Sequence, residues 1–283
     1  MIHPSRVLTI WVAAVVAALT TPAKAAELQP ATVAAWNTYV AATEARIARE
    51  LGSSQPFLVT DFTSDSARVR REITDGRIPV GAMRTTDEGG ARFEVPDGLI
   101  SHWRGAVLLP GLTLDSLLHQ LQHPPESGPF QEDVLALRVL DRRPDELDLF
   151  IRMTRTKVVT VTYDTEHRVR YRHHGPMRSS SQSVATRIAE IDDAGTDRER
   201  PKVPGQDRGF LWRMNSYWRY EQVPGGVIVE LESLTLSRSV PLGLGFVVQP
   251  AIDGIAAESM TRTLDNLRET YTSARVAVAE DRR

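Results

Sequence analysis

A chain of 283 residues, 41% of them hydrophobic, suffices for one large domain, or one domain plus an extension, built around a real core. With 34 Lys and Arg against 36 Asp and Glu the formal charge is −2, and this mild acidity argues against nucleic acid as the main partner. The lack of cysteine excludes thiolate catalysis, Cys-based metal sites and disulfides, so stability must come from the core.

The chain opens like a secretory leader. Arg6 supplies the positive charge, Val7 to Leu19 is an apolar run, and Ala23-Lys24-Ala25 fits a small-x-small cleavage site. The run is short for a permanent bilayer span, so residues 1–25 read as a removable signal and the protein as exported, periplasmic or secreted, with an uncleaved anchor as the alternative. No other segment is apolar enough to span a membrane. Lysine occurs only at Lys24, Lys157 and Lys202, so nearly all cations are arginine.

Residues 31–51 carry Val33, Trp36, Val40, Ile47 and Leu51 on one helical stripe, with Gly52 as the stop. Phe57 to Phe62 and Ile78 to Met83 are candidate strands around the turn Asp87-Glu88-Gly89-Gly90. Residues 26–97 thus form an N-terminal extension packed on a main domain, 98–283.

The main domain opens with a strand in which Trp103, Val107 and Leu109 alternate up to Pro110-Gly111. Thr113 N-caps a short helix with Leu114, Leu117, Leu118 and Leu121 on one face, ended by Pro124-Pro125. Val134 to Leu140 and Leu147 to Arg155 are the next strands. From Lys157 to Arg172 the alternation is clearest. Val159, Val161, Tyr163, Val169 and Tyr171 share one face, and Thr160, Thr162, Asp164, Glu166, Arg168, Arg170 and Arg172 share the other. One face is buried and one is wet. A further strand spans Ser181 to Ile191, and Asp192 to Gly209 is an exposed loop.

Phe210 to Glu232 reads as a long hairpin, with Trp212, Met214, Trp218 and Tyr220 on one face of its first strand. A Pro224-Gly225 loop sets Arg219 opposite Glu230, and a Gly225-Gly226 loop sets it opposite Glu232. The last element is a helix from about Ala256 to Val276 with Met260, Leu264, Leu267, Tyr271 and Ala274 as its stripe. A curved antiparallel sheet with that helix across its concave face buries both stripes.

Several stretches resemble one family. They are Gly98-Leu-Ile-Ser-His-Trp-Arg-Gly-Ala-Val107, the strand from Tyr163 to Tyr171, Gly209-Phe-Leu-Trp-Arg-Met-Asn-Ser-Tyr-Trp-Arg-Tyr220, Leu236-Ser-Arg-Ser-Val-Pro241 and Glu258-Ser-Met-Thr-Arg-Thr-Leu264. Together, over residues 98–275, they resemble exported bacterial proteins of the START-like (SRPBCC, helix-grip) superfamily, which also includes polyketide cyclases and lipid-transfer domains. The resemblance implies an α+β helix-grip fold with an apolar cavity under the C-terminal helix. It carries over no catalytic or binding residue, and it leaves the extension unexplained.

The chemistry-bearing residues give few leads. His119 and His123 have zinc-ligand spacing, but Gln120 stands where a zincin needs its glutamate. His173 and His174 are adjacent on a strand and point to opposite faces. His102 is a possible proton donor in a cavity, against the plainer reading of a satisfied structural histidine. Arg152, Arg219, Glu230 and Glu232 are either anchors for a ligand headgroup or cross-strand pairs on the wet face. Tyr163, Tyr171, Trp212, Trp218, Met260 and Leu264, with Arg152 and Glu230, are the expected ligand-binding residues. No catalytic residue, metal ligand or cofactor is nominated. The expected partner is a small hydrophobic molecule or lipid and not nucleic acid. A cyclase- or hydrolase-type enzyme using His102 or Glu230, and a structural module with a filled core, stay open as alternatives, as does the oligomeric state.

Overall fold

The computed structural model describes residues 27–53, 55–127, 133–156, 160–239 and 245–280, with side chains in the last segment described for 254–271. The leader, and Lys157 to Val159 of the alternating strand, lie outside the described residues. Three layers stack on one another. The N-terminal extension forms the first, an antiparallel sheet the second, and two helices on the opposite face the third.

The sheet strands are β1 (Val80–Ala82), β2 (Gly98–Pro110), β3 (Val134–Arg143), β4 (Glu146–Thr156), β5 (Thr160–His173), β6 (Arg178–Asp192), β7 (Arg200–Pro201), β8 (Arg213–Val223) and β9 (Gly226–Arg238). They order as β1-β2-β9-β8-β6-β5-β4-β3, with the short β7 on β6 inside the stretch expected to be loop. The sheet is curved, and a long C-terminal helix lies against it in the helix-grip manner. β1 comes from the extension and pairs with β2, so the sheet itself crosses the boundary at residue 98.

The extension contributes α1 (Pro30–Leu51), a 3-10 turn at Val59–Phe62 and α2 (Ser66–Thr74). The other side carries α3 (Leu114–Gln122), N-capped by Thr113 as expected, and α4 (Gly245–Glu280). α4 starts well before the expected Ala256 and continues through Pro250 and Gly254. α1 buries Thr32, Trp36, Tyr39, Thr43 and Ile47, a stripe rotated away from Val33 and Val40. The threonines fit because each hydroxyl has a partner. Thr32 donates to the Pro96 carbonyl at 2.7 Å, and Thr43 to the Tyr39 carbonyl at 2.9 Å.

Period-two alternation in β2, β8 and β9 assigns their side chains. Val107, Leu109, Tyr220, Val227, Val229 and Leu231 face α3 and α4 and form a core with Met260 and Leu264. Gly105 lies between Met260 and Leu264 in this layer. A Cβ there would stand 2.7 Å from Leu264 Cδ1 and 3.0 Å from Met260 Cγ, so the missing side chain lets α4 seat on β2. Ala106, Ile228, Leu234 and Leu236 face the other way. They pack on Phe57, Leu58, Val69 and Ile73, and on Trp36, Tyr39 and Ile47.

The back face of these strands is not wet, contrary to the reading of its charges. Arg219, Glu230 and Glu232 are buried beneath the extension at 2%, 1% and 1% exposure. The hairpin turns at Pro224-Gly225 and pairs Arg219 with Glu230. Glu230 accepts from the Val59 and Thr60 amides and from the Thr60 hydroxyl, and Arg104 stands 3.5 Å away. Arg219 reaches Glu50 at 2.5 Å and the Phe57 carbonyl at 2.7 Å. Glu232 pairs with Arg46 and accepts from His102 Nε2 at 2.7 Å. These carboxylates explain why Phe57 to Phe62 is no strand. Asp61 takes the Phe57 and Leu58 amides and Glu230 the next two, so no ladder can use them.

Burial pushes the Glu230 carboxyl up despite its Thr60 bonds and the nearby Arg219 and Arg104. Glu232 moves the other way. Burial pushes it up as well, but the His102 hydrogen bond and the Arg46 charge outweigh that and hold it below the ordinary range. Removing one member of such a network leaves an uncompensated buried charge. Arg219→Leu is therefore expected to destabilise the protein by about 3–5 kcal/mol. Urea unfolding measures this, and a loss below about 1 kcal/mol would show that the back face is open to water.

Candidate functional site

The face of the sheet towards α4 is the candidate site, and the outer strands build most of it. On β5 the residues of one parity are Val161, Tyr163, Thr165, His167, Val169 and Tyr171. Their cross-strand partners on β4 are Met153 for Tyr163, Ile151 for Thr165, Leu149 for His167 and Leu147 for Val169. On the other side Ser183 lies opposite Val169 and Ser181 opposite Tyr171, and these meet Ser216 and Trp218 of β8. The result is a floor with aliphatic and aromatic margins and a strip of serines between them.

α4 covers this floor unevenly. Met260 and Leu264 are buried against β2, while Leu267 and Tyr271 pack at the edge of that core. Polar contacts tie the helix to both margins of the sheet. Arg155 of β4 bonds the Ser259 hydroxyl, Arg262 stands 3.4 Å from Asp133, and Arg268 donates to the Gly76 carbonyl at 2.7 Å. Over the outer strands Leu149, Ile151, Met153, Tyr171, Ser183 and Trp218 are only half-buried.

Three polar features face this side. The Tyr163 hydroxyl is buried with no hydrogen-bond partner among the described residues. Burial pushes its ionisation far up, and the negative charge of Glu190 adds to that. Glu190 is itself buried and held by Lys202 at 2.9 Å and Arg208 at 2.6 Å. Second, Tyr220 and Tyr271 are raised by burial, the latter to about 12, so both stay neutral hydroxyls. Tyr220 bonds Ser181 at 2.9 Å. Third, His167 sits between Thr165 Oγ1 at 3.0 Å and Ser183 Oγ at 3.4 Å.

Of the residues expected from sequence, Tyr163, Tyr171, Trp218, Met260 and Leu264 share this side. Three lie on the opposite face of the sheet. Trp212 precedes the first residue of β8, so strand parity does not govern it. It packs with Trp36 and Tyr217, and its indole donates to Asp207 at 2.9 Å. Glu230 faces the extension. Arg152 pairs with Asp164 at 2.6 Å and Glu199 at 2.8 Å, beside an open outer groove of about 460 Å³. His102 is on the back face too, bonded to Tyr39 and Glu232. His119 and His123 stack at the end of α3, their rings 4.4 Å apart. Sequence reading missed Thr165, His167 and Ser183. The first two have the parity of Tyr163 and Tyr171, and that was the available signal.

No family model matches the sequence, and no curated protein matches it significantly. Among solved structures, the chain is similar to a STAR-related lipid transfer protein fragment from Xanthomonas axonopodis (TM-score 0.45, 16% identity, 68% of this chain and 98% of that one). It is similar to human StAR-related lipid transfer protein 5 (TM-score 0.43, 15% identity, 86% and 99%). The Zhui aromatase/cyclase from Streptomyces gives TM-score 0.36 and 8% identity over 62% of this chain and 94% of that one.

Burial lowers the His167 pKa from 6.5 to about 4. The unfolded chain therefore takes up a proton near pH 6.5 that the folded chain refuses until about pH 4, so acidification across that window favours unfolding. The stability gap between wild type and His167→Gln should shift against the wild type by about 3 kcal/mol between pH 7 and pH 4. Denaturant curves at both pH values check this, and an unchanged gap would mean that water reaches the imidazole.

Proposed function

We propose that this chain is an exported binder and carrier of a lipid or similar apolar molecule, held between the sheet and α4. One observation carries the reading. Leu149, Ile151, Met153, Tyr171 and Trp218 line one continuous floor and remain half-buried, while α4 seats on β2. Covering such side chains with an apolar molecule gains roughly 25 cal/mol per Å² removed from water. The ligand contacts are Tyr163, Tyr171, Trp218, Met260 and Leu264, with α4 as the lid. Its polar ties to Asp133, Arg155 and Gly76 are partly exposed and individually weak, so the lid can lift without loss of the back-face core. Export rests on the leader sequence at Arg6, Val7 to Leu19 and Ala23 to Ala25. Among the described residues no helix is long and apolar enough to cross a membrane.

The test is direct. Protein isolated from the periplasm should release a near-stoichiometric apolar molecule on solvent extraction, and the emptied protein should take up an environment-sensitive apolar dye. Ile151→Asp puts an unpaired charge on the floor and should weaken dye binding by about tenfold or more. Arg168→Glu on the outer face should leave it unchanged. Full dye binding by a folded Ile151→Asp protein would sink the reading.

A further inference from the structure

The hydrogen bonds beneath the half-buried floor facing α4, the groove of the proposed function, have a direction. The Thr165 hydroxyl donates to the Ile151 carbonyl at 2.9 Å, and a carbonyl can only accept. The Thr165 oxygen is thus left to accept, and His167 Nε2 lies 3.0 Å from it. The imidazole proton therefore sits on Nε2. Because burial keeps the ring neutral at pH 7, Nδ1 carries a lone pair. The Ser183 hydroxyl, 3.4 Å from Nδ1, must be the donor of that contact. Every proton in the row points away from the groove towards the backbone of β4.

What remains at the groove end is the Ser183 oxygen with its lone pairs. Thr165 and His167 are buried, but Ser183 is half-buried and lies beside Ser216, with Ser233 next in line on β9. Ser183 thus presents a half-buried acceptor oxygen on that strip.

We propose that Ser183 is the polar subsite of the groove and selects a neutral apolar molecule with a hydroxyl donor over a carboxylate with the same tail. The proposal rests on the reading of the groove as an apolar binding site. A hydroxyl gives Ser183 the proton it can accept. A carboxylate sets lone pairs against lone pairs and brings an unpaired charge into an apolar site. An ester fits the floor but offers no donor.

Three probes with one tail separate these cases, namely hexadecanol, hexadecanoate and methyl hexadecanoate, each displacing a bound apolar dye. Hexadecanol should displace dye at a concentration about three- to tenfold below methyl hexadecanoate, the worth of one net hydrogen bond, and hexadecanoate should be no better than the ester. Ser183→Ala should erase the preference for the alcohol and leave ester binding unchanged. Thr165→Val, which frees the far end of the row, should reduce the preference without erasing binding. Equal displacement by alcohol and ester in the wild type, a preference for hexadecanoate, or an alcohol preference that survives Ser183→Ala would overturn the subsite alone. Failure of the dye itself to bind would overturn the groove reading beneath it.

Discussion

Two carboxylates on one strand govern this architecture. Glu230 and Glu232 stand side by side between Ile228 and Leu234 on the back of β9, and both are excluded from water. An ionised carboxylate in such a place is unstable unless hydrogen bonds and opposite charges surround it. The sheet supplies some of these through His102, Arg104 and Arg219. The rest come from the extension, as the Val59 and Thr60 amides, the Thr60 hydroxyl and Arg46. The extension is therefore part of the domain's core. Its 3-10 turn exists where two consecutive amides must point at one carboxylate, a demand that an extended strand, with alternating amide directions, cannot meet.

Covering the back of β2, β9 and β8 divides the sheet into unlike halves. These three strands have core on both faces, and α4 seats there through Gly105, Met260 and Leu264. β4 and β5 have paired charges on their outer face, as in Arg152 with Asp164 and Arg168 with Asp148, and Leu149, Ile151, Met153 and Tyr171 half-buried on the inner one. A doubly packed platform resists deformation. A sheet packed on one face, with part of that face still accessible, can change what covers it. Stability is thus concentrated in one half of the sheet, and the other half carries most of the proposed ligand floor.

Local pattern made most of the elements legible. The alternation of Tyr163 to Tyr171 and the N-cap at Thr113 follow from periods and turn chemistry acting over a few residues, and the same reasoning narrows the partner of Arg219 to Glu230 or Glu232. Parity tells which side chains share a face and is silent on what lies over that face. The charges of β8 and β9 look solvated until Arg46, Glu50, Val59 and Thr60 are brought to them from far along the chain, and no short-range pattern encodes that contact. Trp212 shows a related limit, because period two holds only inside a strand and β8 begins one residue later. His167 was legible in principle. It lies on the apolar parity of β5, and a polar residue in such a row marks either a satisfied core group or a site.

The two buried histidines show how geometry separates those cases. His102 lies between the Tyr39 hydroxyl, 2.8 Å from its Nδ1, and Glu232. Tyr39 accepts the Thr85 amide, and Glu232 is held by Arg46. That row runs from a backbone amide to one oxygen of a carboxylate paired with Arg46, while the carboxylate's Oε2 is buried without a partner among the described residues. The row through His167 begins in the Ile151 carbonyl and ends at a half-buried serine oxygen. A row closed at both ends fixes an orientation and nothing more. One with an accessible terminus carries its polarity to whatever docks there, because the buried members dictate which way the last hydroxyl points. His102 drew attention in the sequence as a possible proton donor in a cavity. The other row stays open at Ser183, and on the proposed reading that end is where His167 acts on a ligand.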